Sequence, residues 1–437
     1  MRRGACRQSS LITRSLTAGT KVYKKTLRES SFAESADLTD KFGAADLTLS
    51  RSAGSVYYFN GSGVLTATGD NVAAFTSNGL FIEGQATNLI AAANYRDIST
   101  WTSTDTNMAS TTPTLIDGTT GTSGKNEVVE GLLPASEHRR TITFTAATAA
   151  KQSVMVAVKR GTGTRHVQVR IGNATDGIYG AVAINLDTLA EIGTGTWEYF
   201  TAYVKGAYTI IELVDTNTTT GTQTLYVNLH DGTSNSYLGD NASSLIVDWA
   251  QVVTSGLPNS HIQGAATRYS SHVTRPWIGA TNNFWIYVDF YILSSVAFVP
   301  TAIFYYFSIY KDASDNASMR VLDTTGKART SITKATVNTA GDTGNISFSR
   351  GDRIRAVFNQ SSSVGMVTRI NHNSVAYTSS LTTAAAKNSI NAFSNGATLS
   401  ILNDSSVTGR VMPCEIRSYK VGTGVLTTAQ MAEMVGI

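Results

Sequence analysis

Apolar and polar residues alternate with a period of two along most of this chain, which is the pattern of strands that bury one face. Residues 165–171 set Val167, Val169 and Ile171 against His166, Gln168 and Arg170, and residues 153–159 place Val154, Val156 and Val158 on one side. Similar runs follow at 178–186, 197–205, 208–214, 224–230 and 244–253, with Asp176-Gly177 and Asp231-Gly232 as turn signals between them. Regular strands without helix-period segments between them predict an antiparallel sandwich over residues 91–274. A second block opens at 284–292, where Phe284, Ile286, Val288, Phe290 and Ile292 alternate with Trp285, Tyr287, Asp289 and Tyr291. Later runs at 303–310, 318–323, 353–358, 364–370, 398–402 and 411–420 extend it into a second sandwich over 275–437. Helix period appears only at 426–435, where Thr427 precedes Gln430 by three residues, the spacing of a capping box.

The first 90 residues read differently. Residues 1–35 lack a strong period and read as an arm. Residues 36–90 hold short runs punctuated by Asn60-Gly61 and Asn78-Gly79, pairs that favour tight type I′ turns, and are expected to form a β-hairpin connector. The expected fold class is all-β: two antiparallel, jelly-roll-like β-sandwich domains after a basic N-terminal arm and a short β connector. Composition agrees. Only 15% of residues are charged, whereas Ser and Thr together fill 105 positions, so the surface must be built from hydroxyls, amides and Gly. Thr is β-branched and suits pleated strands, and a hydrophobic content of 42% is ample for packed cores.

The net charge of +4 hides an asymmetry. Arg2, Arg3, Arg7, Arg14, Lys21, Lys24, Lys25 and Arg28 all precede the first acid, Glu29, so the first 28 residues carry +8 and the rest carries −4. Such an arm suits nucleic acid, an anionic membrane or an acidic protein socket, or is simply solvated. Cys6 and Cys414 form neither a disulfide framework nor a metal set. The most apolar window, 296–309, is broken by Pro300 and is too short to span a bilayer, so it reads as two buried strands joined at the proline. No secretory leader is recognised, and membrane insertion is not expected.

Familiar catalytic patterns are missing from the sequence: no phosphate-binding Gly-rich loop, no nucleophile elbow, no zinc-binding His-Glu-x-x-His. No catalytic residue, metal or cofactor is expected. Glycan cleavage would need two carboxylates flanking the sugar bond. The candidates are Glu127 with Glu130 and Asp289 with Asp323, both better read as solvated or turn residues. Asp312, Asp315 and Asn316 are a conceivable calcium set, though ordinary loop chemistry fits them better. Tyr287, Tyr291, Tyr305, Tyr306 and Tyr310 could offer rings to a sugar, with core or subunit contact as the weightier reading. Among them Tyr305, Tyr306 and Tyr310 are the candidate glycan-binding residues.

Two segments resemble a family of tailed-bacteriophage structural proteins. Asn78-Gly-Leu-Phe-Ile-Glu-Gly-Gln-Ala-Thr-Asn-Leu-Ile90 is similar to its "G-L-L-I-E-x-x-x-T-N-L" segment. Asp248-Trp-Ala-Gln-Val, running on to Ser260-His-Ile and Thr267-Arg268, is similar to its "W-G-A-Q-L-E … S-Y-I-P-T … T-R" segment. Residues 47–63 and 153–159 look like the family's opening and its "S-V-Y-V-K" strand, but Ala73-Ala74 stands where the family has Pro-Arg. The resemblance implies a carbohydrate-binding-like sandwich over 91–274 and, from the pieces at 352–358, 409–419 and 426–431, a concanavalin-A or laminin-G-like sandwich over 275–437. It further implies a virion structural protein made in the host cytoplasm, anchored to other virion proteins by the eight arm residues and assembled as a homotrimer. A tail-fibre or tail-spike adhesin for host polysaccharide is the leading expectation. A head fibre or capsid decoration protein is the alternative, and a glycan depolymerase the second alternative.

Overall fold

The computed structural model describes residues 25–31, 47–51, 56–60, 64–69, 72–83, 85–254, 261–264, 266–268, 271–277, 283–293, 304–312, 315–321, 327–334, 337–346, 349–361, 365–381, 397–402 and 413–437. The fold is all-β, built from antiparallel sheets, and the one α-helix among the described residues is Thr428–Val435. Thr427 caps that helix through Gln430: its hydroxyl accepts from the Gln430 backbone at 3.3 Å, and its own N–H donates to Oε1 of Gln430 at 2.9 Å.

The middle sandwich packs a six-stranded sheet on a five-stranded one. Strands Tyr199–Lys205, Tyr208–Thr216, Lys151–Arg160, Ser244–Val253, Glu127–Glu130 and Thr106–Met108 form the first in that order, and Gly177–Ile184, His166–Asn173, Gly221–His230, Arg139–Ala146 and Thr102–Thr104 form the second. Val154, Val156, Val158, Val167, Val169, Ile171, Leu225, Val227 and Leu229 meet in one core, as their period of two requires.

The outer sandwich is where the domain plan differs from expectation. Its larger sheet runs Val375–Leu381, Gly365–His372, Arg353–Ser361, Asn283–Ile292, Cys414–Thr423, Gly79–Ile82, Ala74–Thr76, and Lys25–Ser31 also pairs with Cys414–Thr423. The facing sheet begins with Thr48–Ser50 beside His272–Pro276, followed by Thr398–Ile401, Phe304–Asp312, Asp315–Val321, Lys327–Lys334 and Val337–Asn345. Leu47, Leu49, Leu80 and Ile82 share a core with Phe284, Phe290, Phe307 and Phe358. Residues 36–90 are therefore no separate connector, and the arm does not extend to residue 35, because 25–31 is a sheet strand. The reason is physical: Gly79–Ile82 is apolar at every position and needs two covered faces, which a free hairpin lacks.

The middle sandwich is thus inserted into the outer one. Its entry and exit lie side by side: Thr87 pairs with Thr267, Asn88 bridges to Val253, and the Asn88 amide donates to the Ile262 carbonyl at 3.0 Å. Gly264 approaches the Ala91 carbonyl so closely that a Cβ there would stand 2.6 Å from it. Two turns also differ from expectation. Phe59 pairs with Leu65 across a five-residue connection, and the two residues turning between Ala74–Thr76 and Gly79–Ile82 are Ser77-Asn78, with Gly79 at φ 141°. Gly79 is needed there because a Cβ would fall 2.0 Å from the Ile416 carbonyl oxygen.

Candidate functional site: a cavity between the two sandwiches

The six-stranded sheet of the inserted sandwich buries both faces. Its inner face makes the domain core, and its outer face carries Met155, Ala157, Tyr208, Ile210 and Trp249, a second apolar cluster against which Tyr57, Phe59 and Tyr203 pack. Tyr57 and Phe59 come from strand Val56–Phe59, one arm of the hairpin with Leu65–Thr68. Asn60 shapes the hairpin end, its Oδ1 accepting from the Val64 N–H and its amide donating to Thr66 Oγ1, both at 3.1 Å.

Between this face and the outer sandwich lies a cavity of about 240 Å³. The inserted sandwich contributes Met155, Tyr203, Lys205, Ile210, Glu212, Trp249 and His261; the outer body contributes the rings of Tyr57, Tyr58, Phe59 and Phe81, the polar groups of Asn60, Asn78, Glu83, Arg350 and Glu415, and the apolar Leu293 and Pro413. Register explains the first set. Tyr203 pairs with Ile210 and Glu212 with Met155, and paired residues project to the same face.

Charge inside the cavity is largely matched. Glu212, 1% exposed, accepts from the Tyr203 hydroxyl at 2.8 Å and lies 2.9 Å from the Arg350 guanidinium, which also stacks 4.3 Å over the Tyr203 ring. Burial raises the Glu212 pKa above the usual carboxylate range, and Arg350 opposes that rise. Burial likewise pushes the Tyr203 hydroxyl up. On the far wall the Asn78 amide donates to Glu415 at 2.7 Å. Lys205 sits 5.2 Å over the Phe59 ring. His261 packs against Tyr57, Tyr95 and Trp249, and burial lowers its pKa to about 3, so the ring is neutral. Aromatic faces beside acids, amides and a guanidinium are the combination that stacks a pyranose ring and reads its hydroxyls.

The residues singled out from sequence lie elsewhere. Tyr306 is fully buried against Phe290 in the outer core, and Tyr305 is 6% exposed with its hydroxyl accepting from Arg320 at 3.1 Å. Only Tyr310 is half-buried, so the three do not form one exposed platform. The strand is bulged between Tyr305 and Phe307, and Tyr306 joins Phe307 in the outer core while Tyr305 does not. Tyr287 is buried, and Tyr291 lies beneath Arg353 and Arg417. Glu130 is held by Arg165 at 2.7 and 2.8 Å and by the Tyr237 hydroxyl, Glu127 by Thr111 and Ser244, and Asp289 by Arg353 at 2.7 and 3.0 Å. Asp323, the side chains of Asp312 and Asp315, and Arg2, Arg3, Arg7, Arg14, Lys21 and Lys24 fall outside the described residues. Lys25 and Arg28 lie on the strand paired with Cys414–Thr423, at Thr423 and Val421. Among the described residues no group of three or more His, Cys, Asp or Glu is placed to hold a metal, and no helix is long and apolar enough to cross a membrane.

The three glutamates that do converge, Glu83, Glu212 and Glu415, were not singled out from the sequence, since they are 129 and 203 residues apart and meet only through the insertion. Glu83 and Asn78 lie inside the segment that carries the family resemblance, which was the one available signal.

No protein-family model matches the chain, and no curated protein matches it. Among solved structures it is similar to the CBM40 of the Ruminococcus gnavus IT-sialidase bound to alpha2,6 sialyllactose, at 15% identity over 36% of this chain and 85% of that one, with a TM-score of 0.28. A further structure of the Ruminococcus gnavus IT-sialidase CBM40 matches at 13% identity over 36% of this chain and 84% of that one, also with a TM-score of 0.28. A native heptameric SAP-like pentraxin from Limulus polyphemus matches at 15% identity over 36% and 70%, with a TM-score of 0.24.

Proposed function

We propose that this chain is a non-enzymatic glycan-binding display protein whose sugar site is the cavity between the two sandwiches. The observation that carries the reading is the cavity wall itself, with the rings of Tyr57, Tyr58, Phe59, Tyr203 and Trp249 beside Asn78, Glu83, Glu415 and Arg350. The setting is a virion of a tailed bacteriophage, as a tail-fibre or tail-spike adhesin, assembled as a homotrimer and attached through the basic residues 2–24. That setting is supported by the segments 78–90 and 248–268 and by the arm's charge. Weak single sites in several copies then add up through effective concentration.

One specific observation favours keeping a second reading. Glu83, Glu212 and Glu415 share the cavity, and carboxylates flanking a bound sugar are what a depolymerase requires. A glycan array probed with the intact chain, followed by a reducing-end assay on every glycan retained, separates the readings. Retention without new reducing ends is the expected result. Cleavage selects the depolymerase, and no retention of any glycan removes both in favour of a capsid decoration protein.

A further inference from the structure

The sheet face that walls the cavity on the outer sandwich continues beyond it. Across the strands Phe81 pairs with Glu415, Glu415 with Tyr291 and Tyr291 with Arg353, and paired residues project to the same face. Phe81 and Glu415 are cavity wall, 7% and 8% exposed. One strand further, about 5 Å away, the row comes out into solvent. There Tyr291 is half-buried, and the side chains of Arg353 and Arg417 are 38% and 32% exposed. Arg417 reaches this place through a bulge: Asp289 pairs with Ser418 and Phe290 with Ile416, which leaves Arg417 as the extra residue. Bulges re-aim side chains, and this one brings a second guanidinium to a carboxylate that already has one. Asp289 gives both oxygens to Arg353, at 2.7 and 3.0 Å. Among the described residues it is also the one ion-pair contact of Arg417, at 3.8 Å, while Nη1 of Arg417 donates to the Tyr291 hydroxyl at 3.4 Å. Two cations therefore share one anion, and a fork of five N–H groups is used once, weakly. Both guanidinium carbons lie near the Tyr291 ring, 6.0 and 5.7 Å from its centre. The neighbouring acids are engaged elsewhere, Asp352 with His372 at 2.6 Å and Glu415 with Asn78 at 2.7 Å.

Building on the glycan reading above, we propose that the glycan is acidic and that a sugar residue next to the one in the cavity lies over Tyr291, with its carboxylate on Arg417. The Tyr291 ring offers that sugar an apolar surface. The planar Arg417 fork presents parallel N–H groups that match the two oxygens of a carboxylate, a geometry that an ammonium lacks. Arg353, fixed by both oxygens of Asp289, adds positive charge beside it. A neutral sugar in the same place keeps the ring contact and leaves the second guanidinium without its anion. Cavity and arginine pair thus divide the work, the first taking a sugar residue between the sandwiches and the second selecting chains that carry a carboxylate one residue on.

The test is an array carrying polygalacturonate, alginate and hyaluronan fragments and bacterial surface polysaccharides, each printed beside its carboxyl-reduced form and probed with the intact chain. Retained glycans should be carboxylated ones, bound at least about tenfold tighter than their reduced partners, the factor given by about 1.4 kcal/mol. Arg417→Gln removes the fork from a part-exposed position and should bring native and reduced forms within about twofold of each other while leaving the affinity for the reduced forms unchanged. Raising the salt concentration should narrow the wild-type preference in the same direction. Equal binding of native and reduced forms, retention of neutral glycans only, or an unchanged preference in Arg417→Gln overturns the carboxylate assignment while the glycan reading stands. No retention of any glycan overturns both. The comparison of native with reduced forms on the wild type decides the matter by itself should the variant not fold.

Discussion

Arg350→Met should destabilise the protein strongly at neutral pH and much less in mild acid. Arg350 lies on the outer sandwich and Glu212 on the inserted one, so the pair ties the two together across the cavity. Removing one member of a buried pair typically costs about 3–5 kcal/mol, because the other charge is left without compensation. The Arg350 side chain keeps 25% of its exposure, so water already screens it, and the lower end, about 3 kcal/mol, is expected. The pH dependence follows from Glu212. Its folded pKa is raised above 4.5, so the folded state holds the proton more tightly than the unfolded chain does, and ionising it costs stability as pH rises from 4.5 through the folded value. Without Arg350 that folded value rises further. The deficit is then larger at pH 7 than at pH 5, because it shrinks as pH falls through the raised folded values towards 4.5. Thermal melts of wild type and variant at the two pH values read both effects, and Glu212→Gln combined with Arg350→Met should recover part of the loss at pH 7. An Arg350→Met protein as stable as wild type at pH 7, or a deficit that does not change with pH, refutes the reasoning.

Three further outcomes follow from the architecture. Gly79→Ala should cost about 1–3 kcal/mol or more in a melting experiment, since its Cβ would overlap the Ile416 carbonyl at 2.0 Å, whereas Gly118→Ala, with nothing within 4 Å, should lose only what its positive φ demands. A fragment of residues 272–437 should not give a cooperative melt, because it lacks Thr48–Ser50, Ala74–Thr76 and Gly79–Ile82 from its two sheets, while residues 86–268 should melt cooperatively; the reverse result would sever the insertion plan. On the proposed virion setting, deleting residues 1–24 should abolish incorporation into particles, as read by immunolabelled micrographs, and normal incorporation would end the anchoring assignment.

How much of this was legible in the sequence depends on how many faces of a strand are buried. Residues 166–173 have one wet face, and their alternation gives both strand and side. Ser244–Val253 is buried at every position, so its run marks a strand but hides that Trp249 looks away from Val247 and into the cavity. The terminal helix was readable from Thr427 and Gln430 alone, because capping is local. The insertion was not, since the pairing of Gly79–Ile82 with a strand near residue 415 leaves no trace in local pattern. The same long-range closure assembled Glu83, Glu212 and Glu415, whereas a local bulge accompanies the burial of Tyr306 next to Tyr305 in a run that looked like a ring platform.

The central claim, that a sugar binds between the sandwiches, is tested most directly by hydrogen exchange on the intact chain with and without a saturating glycan retained on the array. The account predicts slowed exchange in both walls together, residues 57–60 and 76–83 from the outer sandwich and 203–212 from the inserted one. Protection confined to the polar groove of the five-stranded sheet around Gln168, Thr196 and Asn235, with the cavity walls unchanged, would contradict it.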